Sequence, residues 1–153
     1  MQFLELKIPP PIVALIIGIL MWCVCLIAPS GSVPTSARLS LAAAFAVIGL
    51  ASAVSGAIAF RRAKTTTNPL KPGAASSLVS SGPYRFTRNP MYLGLSLVLI
   101  AWATYLWSVW ALAGPLVFVA YIRRFQIAPE ERALSALFGA EYGEYQTKVR
   151  RWL

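Results

Sequence analysis

The chain reads as an all-α integral membrane protein of about four transmembrane helices, including a C-terminal helical hairpin, plus a cytoplasmic amphipathic helix. Three observations lead there. Of 153 residues, 58% are hydrophobic and only 12% charged, about half the charge of an average soluble domain. Mean hydropathy is +0.64. Four apolar runs follow one another, separated by turn-rich or basic segments, and about 20 apolar residues suffice to cross a bilayer. The length suits a single domain over 1–153, with two N-terminal helices in 1–60 and a loop, hairpin and C-terminal helix in 61–153.

The first run, about Ile12 to Ala28, follows Pro9-Pro10-Pro11. Proline suits a helix start because its missing N–H is not needed there. The flank Lys7-Ile8-Pro9-Pro10-Pro11 and the lack of a small-x-small cleavage pattern favour a retained helix over a signal peptide. The break Pro29-Ser30-Gly31-Ser32-Val33-Pro34 ends it. The second run, about Leu39 to Phe60, carries Ser52, Ser55, Gly56 and Ala59 at near-helical spacing, the small-residue pattern that lets membrane helices approach closely. The third, about Met91 to Ala103, and the fourth, about Ser108 to Ile122, are short. They are joined by an uncharged turn and form the hairpin.

Basic residues set the orientation. Arg61, Arg62, Lys64, Lys71, Arg85 and Arg88 lie between the second and third runs, and Arg123, Arg124, Arg132, Lys148, Arg150 and Arg151 follow the fourth. The positive-inside rule puts both termini and the middle loop in the cytoplasm. The net charge of +9 therefore flanks membrane helices, which argues against a nucleic-acid partner. From Leu134 to Val149, apolar residues recur every three or four positions (Leu134, Leu137, Phe138, Tyr142, Tyr145, Val149), giving an amphipathic helix along the cytoplasmic face.

Histidine is absent, and all five acidic residues are glutamates. Histidine-dependent nucleophile systems and histidine metal sites are excluded, and no metal is expected. Cys23 and Cys25 lie two apart, about 200° from each other around a helix, and read as packing residues. No P-loop or G-x-G-x-x-G is present. The remaining chemistry belongs to carboxylates, arginines, tyrosines and backbone, which fits group transfer from an activated donor.

Two polar segments flank the hairpin. The first is Ser81 to Gly94, S-G-P-Y-R-F-T-R-N-P-M-Y-L-G; the second is Pro129 to Tyr145, P-E-E-R-A-L-S-A-L-F-G-A-E-Y-G-E-Y. Four of the five acidic residues, Glu130, Glu131, Glu141 and Glu144, fall in the second. The motifs Gly82-Pro83-Tyr84-Arg85, Arg88-Asn89-Pro90-Met91-Tyr92-Leu93-Gly94, Glu130-Glu131-x-x-Leu134 and Phe138-Gly139-x-x-Tyr142-x-x-Tyr145 resemble the isoprenylcysteine carboxyl methyltransferases. They are also similar to the wider group of small integral-membrane methyltransferases, phospholipid N-methyltransferases among them. The likeness covers about half the chain, from Asn68 to the C-terminus.

The resemblance implies S-adenosyl-L-methionine as cofactor at the cytoplasmic membrane face. It also implies a lipophilic methyl acceptor, such as a prenylcysteine-like molecule, a lipid or a small molecule. Carried residue by residue, it makes Tyr84, Arg88, Asn89, Pro90, Tyr92, Leu93, Gly94, Glu130 and Glu131 the cofactor candidates. Glu131 and Arg124 are the catalytic candidates, and Arg132, Tyr142 and Tyr145 the substrate candidates. Arg88 and Asn89 suit the amino-acid carboxylate of the cofactor, and a glutamate suits its ribose hydroxyls or ammonium. Many relatives have His where Asn89 stands; an amide donates a hydrogen bond but does not titrate near pH 7. Isoprenylcysteine carboxyl O-methylation leads. Alternatives are N- or S-methylation of a phospholipid or small acceptor, a non-catalytic membrane protein of this fold, and, least favoured, a transporter, whose helix interiors would carry ionisable residues. The oligomeric state is not fixed by the sequence.

Overall fold

Pro9 ends the N-terminal segment and begins the first helix, α1 (Pro10–Ile27), by offering its carbonyl to the N–H groups of Ile12 and Val13 at 2.9 and 3.2 Å. In this computed structural model, residues 5–27, 33–65, 70 and 72–153 are described. The expected break at Pro29–Ser32 and the stretch Thr66–Pro69 with Lys71 lie outside them. α1 buries Pro10, Val13, Ile17 and Met21, one stripe at helical spacing. The opposite face, with Leu15 and Leu26 about two-thirds exposed, is left for lipid.

α2 (Thr35–Arg62) runs 28 residues, about 42 Å. It is longer than the hydrocarbon layer of about 30 Å, so the Arg61–Arg62 end projects. α3 (Pro90–Leu106) packs along it through small residues. A Cβ on Gly94 would meet the Gly49 carbonyl at 2.5 Å and the Ala53 nitrogen at 2.8 Å, and one on Gly56 would meet Met91 at 2.8 Å. The Ser52 hydroxyl donates to the Pro90 carbonyl at 2.8 Å. The small-residue stripe thus holds the N-terminal end of α3 against α2. Ala59, one turn further on, packs with Val79 and Tyr84.

α3 ends at Trp107, which takes a left-handed conformation (φ 51°) while its N–H caps Ala103. A 3-10 turn, Val109–Leu112, leads into α4 (Ala113–Ile122). α4 does not stop there: a π-helical turn, Arg123–Ile127, carries it straight into α5 (Ala128–Lys148). The helical run Val109–Lys148 has 40 residues and is kinked at Gly139. The part before the kink alone spans about 45 Å, more than the hydrocarbon layer of about 30 Å, so the polar end stands clear of the bilayer. Of the four expected crossings, α1, α2 and this run are long and apolar enough to span. α3, at 17 residues, is the shorter one. Among the described residues no strand occurs, and the expected all-helical membrane fold holds. The core joins α1, α3 and α4 around Phe118, Ile122, Leu99 and Ala103, with the Trp102 indole donating to the Gly18 carbonyl at 3.0 Å.

Candidate functional site

The first polar segment is shaped by three local devices. Gly82 sits at φ 60°, where a side chain would be strained, and opens a 3-10 turn, Gly82–Arg85. That turn drives Tyr84 inward, edge-on to Phe60 at 5.3 Å between ring centroids. Thr87 then folds back, its hydroxyl accepting the Asn89 N–H at 3.2 Å, and Pro90 starts α3. Burial pushes the Tyr84 phenol far above its usual range, with Tyr145 and Glu130 adding to the shift. Tyr84 therefore stays neutral, and its carbonyl accepts the Tyr145 hydroxyl at 2.7 Å.

The second polar segment owes its orientation to Pro129. A proline inside a helix has no N–H for the carbonyl four residues back, and its ring crowds that oxygen. Here that carbonyl belongs to Phe125. The helix opens into the π-turn, a device frequent at functional sites, and the Leu6 N–H donates to Phe125 instead, at 3.0 Å. Gln126 and Glu130 end up on the inner face. Neither glutamate of the pair sits at a free helix N-terminus, because the helix runs on unbroken from α4, so stabilisation of a helix start does not explain them. Gly139 (φ 49°, ψ −120°) kinks α5, turning Tyr142, Tyr145 and Val149 back onto Leu134, Phe138 and Leu78.

The two segments close around one cavity of about 410 Å³, within the range of small-molecule sites. Its polar wall is made by Tyr84, Arg88, Asn89, Tyr92, Glu130, Glu131, Tyr142 and Tyr145, and Pro9, Pro10 and Pro11 form part of the apolar wall. Glu130 accepts from the Tyr92 hydroxyl at 2.5 Å and from Gln126 Nε2 at 2.9 Å. Both donors are neutral. Glu131 lies between two guanidinium groups, with Arg88 Nη2 at 3.2 Å and Arg151 bonding through Nε at 3.0 Å and through Nη2. The Glu131 hydrogen bond raises the Arg151 pKa further. Nε and Nη1 of Arg88 are buried with no partner among the described residues. Unmet buried donors on a cation are costly unless an anion arrives.

The remaining candidates stand elsewhere. Pro90 is fully buried at the α3 start, Gly94 lies in the α2–α3 contact, and Leu93 does not line the cavity. Arg124 Nη1 bonds Glu5 at 2.9 Å, and Arg132 pairs with the same carboxylate. Both arginines fasten the N-terminal segment rather than face the cavity. Asn89 lines the cavity, while its amide donates to the Arg151 carbonyl at 2.9 Å. Sequence reasoning missed Arg151, Gln126 and the proline wall. Gln126 had one signal, its position four residues before Glu130.

A second, apolar groove of about 880 Å³ runs between α1, α2 and α3, past Leu15, Trp22, Ala46, Leu99 and Trp102. Pro11 and Leu95 line both it and the cavity.

A family model described as phospholipid methyltransferase matches residues 37–141, more than half of the chain. An uncharacterized protein of Haemophilus influenzae is 49% identical over 63 residues, which are 41% of this chain and the whole of that protein. No solved structure matches.

Proposed function

The chain belongs to the phospholipid methyltransferase family, and on that premise we propose that it transfers a methyl group from S-adenosyl-L-methionine to a lipophilic acceptor, in the cavity between α3 and α5. The observation that carries this reading is the unpartnered half of the Arg88 guanidinium, buried in a cavity whose other charged groups are Glu130 and Glu131. A zwitterionic amino-acid moiety matches that pattern, carboxylate to Arg88 and ammonium to the glutamate pair. When bound, this cofactor supplies an activated methyl on a positive sulfur, with a neutral thioether as leaving group. The protein's part is alignment, which can contribute roughly 7–11 kcal/mol when reacting atoms are held within about 3–3.5 Å. The Tyr92 ring and the buried aromatic pair Tyr142–Tyr145 wall the site and exclude water.

The acceptor's apolar part fits the groove that meets the cavity at Pro11 and Leu95. Two head-group chemistries divide here. The resemblance to isoprenylcysteine carboxyl methyltransferases favours a carboxyl. Glu130 favours an amine: its carboxyl faces the cavity, its described hydrogen-bond donors are neutral, and burial pushes its pKa up to about 7. Its ionised form draws in an ammonium head group and repels an anionic one, and it takes the proton that must leave the ammonium before the nitrogen lone pair can accept the methyl. We place the lipid amine first. Under this reading the protein sits in the bacterial inner membrane with its cavity toward the cytoplasm.

The test is calorimetric titration of detergent-purified protein with S-adenosylmethionine, alongside Arg88→Ala and Glu131→Ala. Labelled-methyl transfer to an amine-bearing lipid and to a prenylcysteine follows. Saturable binding lost in both variants is expected, with label entering the amine. A folded wild type that binds no cofactor would overturn the enzyme reading; label in the prenylcysteine alone would move the acceptor to the carboxyl.

A further inference from the structure

The last residues of the chain fold back onto the first polar segment. Three contacts of this tail use its backbone: Arg88 N–H donates to the Arg150 carbonyl at 2.9 Å, and the Asn89 amide and Thr87 hydroxyl both donate to the Arg151 carbonyl, at 2.9 and 3.3 Å. The Arg151 side chain is left to act elsewhere. It grips both oxygens of Glu131, while Arg88 touches one of them through Nη2 alone.

From this we infer that Arg151 is a positioning residue that keeps Arg88 open for an anionic ligand group by limiting Glu131 to a contact with one Arg88 nitrogen, Nη2 at 3.2 Å. With Arg151 present, Arg88, Glu131 and Arg151 sum to one positive charge, and Nε and Nη1 of Arg88 have no partner among the described residues. Without the Arg151 guanidinium, Glu131 and Arg88 are the only charged partners left to each other in the trio. A carboxylate and a guanidinium so placed settle into a two-pronged pair, which neutralises Arg88 and takes up one of its two free nitrogens. The cavity would keep its shape and lose its anion site. Arg151 does not line that cavity, so it acts through Glu131. A lysine restores the charge but not the fork, and so only part of the grip.

This rests on the cofactor reading above, and the experiment separates the two. Wild type, Arg151→Gln and Arg151→Lys are titrated with S-adenosylhomocysteine, which carries the amino-acid carboxylate, and with 5′-methylthioadenosine, which shares the nucleoside and thioether but lacks it. In Arg151→Gln the first ligand should weaken about tenfold or more, the scale of one charged hydrogen bond, and the second should be unchanged. Arg151→Lys should recover part of the loss. In turnover, KM for the methyl donor rises and KM for the acceptor does not. Equal weakening of both ligands would make Arg151 a structural residue only, and no weakening of either would also overturn the inference. A folded wild type that binds neither ligand removes the cofactor reading and the inference with it.

Discussion

The Tyr92 hydroxyl donates to the Glu130 carboxylate at 2.5 Å, tying the first turn of α3 to α5 across 38 residues of sequence. It is a direct side-chain link between the two polar segments through the cavity wall. Tyr92→Phe keeps the ring and removes the donor, leaving Gln126 to hold Glu130. A hydrogen bond to a charged group contributes about 1.5–3 kcal/mol, so a drop of that order in stability is expected from denaturant titration in detergent above pH 7. There Glu130, its pKa pushed up to about 7 by burial, is mostly ionised. Turnover should fall with it, because Glu130 is then free to reorient. Unchanged stability and activity would make the contact incidental.

Gly94→Leu tests the α2–α3 contact. The new side chain would start 2.5 Å from the Gly49 carbonyl and 2.8 Å from the Ala53 nitrogen, and backbone atoms cannot rotate away. Overpacking of this kind costs about 1–3 kcal/mol. The helices must part, moving Tyr92 and Asn89 with α3. A lowered melting temperature together with weaker cofactor binding is expected, even though Gly94 does not line the cavity.

Glu5 holds the N-terminal segment by bridging Arg124 and Arg132. The hydrogen bond from Arg124 lowers its pKa below 4.5, with Arg132 adding to the effect against a desolvation penalty. A carboxylate with a depressed folded pKa stabilises above its unfolded value, and that stabilisation is lost as pH falls through the folded one. The Leu6 amide, bonded to the Phe125 carbonyl, should therefore lose exchange protection below about pH 4.5, relative to neighbouring helical amides. In Glu5→Gln the protection should be low at every pH. Raised salt should weaken it in wild type too, since both arginines are half exposed and such pairs are screened. Protection independent of pH would exclude the Glu5 bridge as the fastening.

Much of this site is legible in the order of the residues alone. In a chain with five acidic residues, a glutamate pair beside a bilayer demands a partner, and Arg88 is one that the hairpin can bring close. What escapes the sequence is continuity and folding back. Pro129 reads as a helix start, yet the π-turn and the Leu6 N–H absorb its missing bond, so α4 and α5 are one run. Arg124 and Arg132 look like site arginines until Glu5, more than a hundred residues earlier, claims both. Arg151 reads as one more cytoplasmic positive charge; its role depends on a tail reversal after Val149 that no periodicity encodes.

The apolar groove gives the sharpest test of where an acceptor chain lies. Ala46 is a half-buried small residue on the α2 wall of that groove, and phenylalanine there fills space without adding charge. Each methylene kept out of an apolar site costs about 0.8 kcal/mol, so excluding two weakens a lipid acceptor on the order of tenfold. Ala46 does not line the cavity at the other end. Ala46→Phe should therefore raise KM for a long-chain acceptor, leave that for a short-chain analogue unchanged, and leave S-adenosylmethionine affinity at the wild-type value. A lipid chain running instead over another face of the helices would make the substitution silent for both acceptors. A loss of cofactor affinity would mean that the groove and the cavity are mechanically one site, coupled through Pro11 and Leu95.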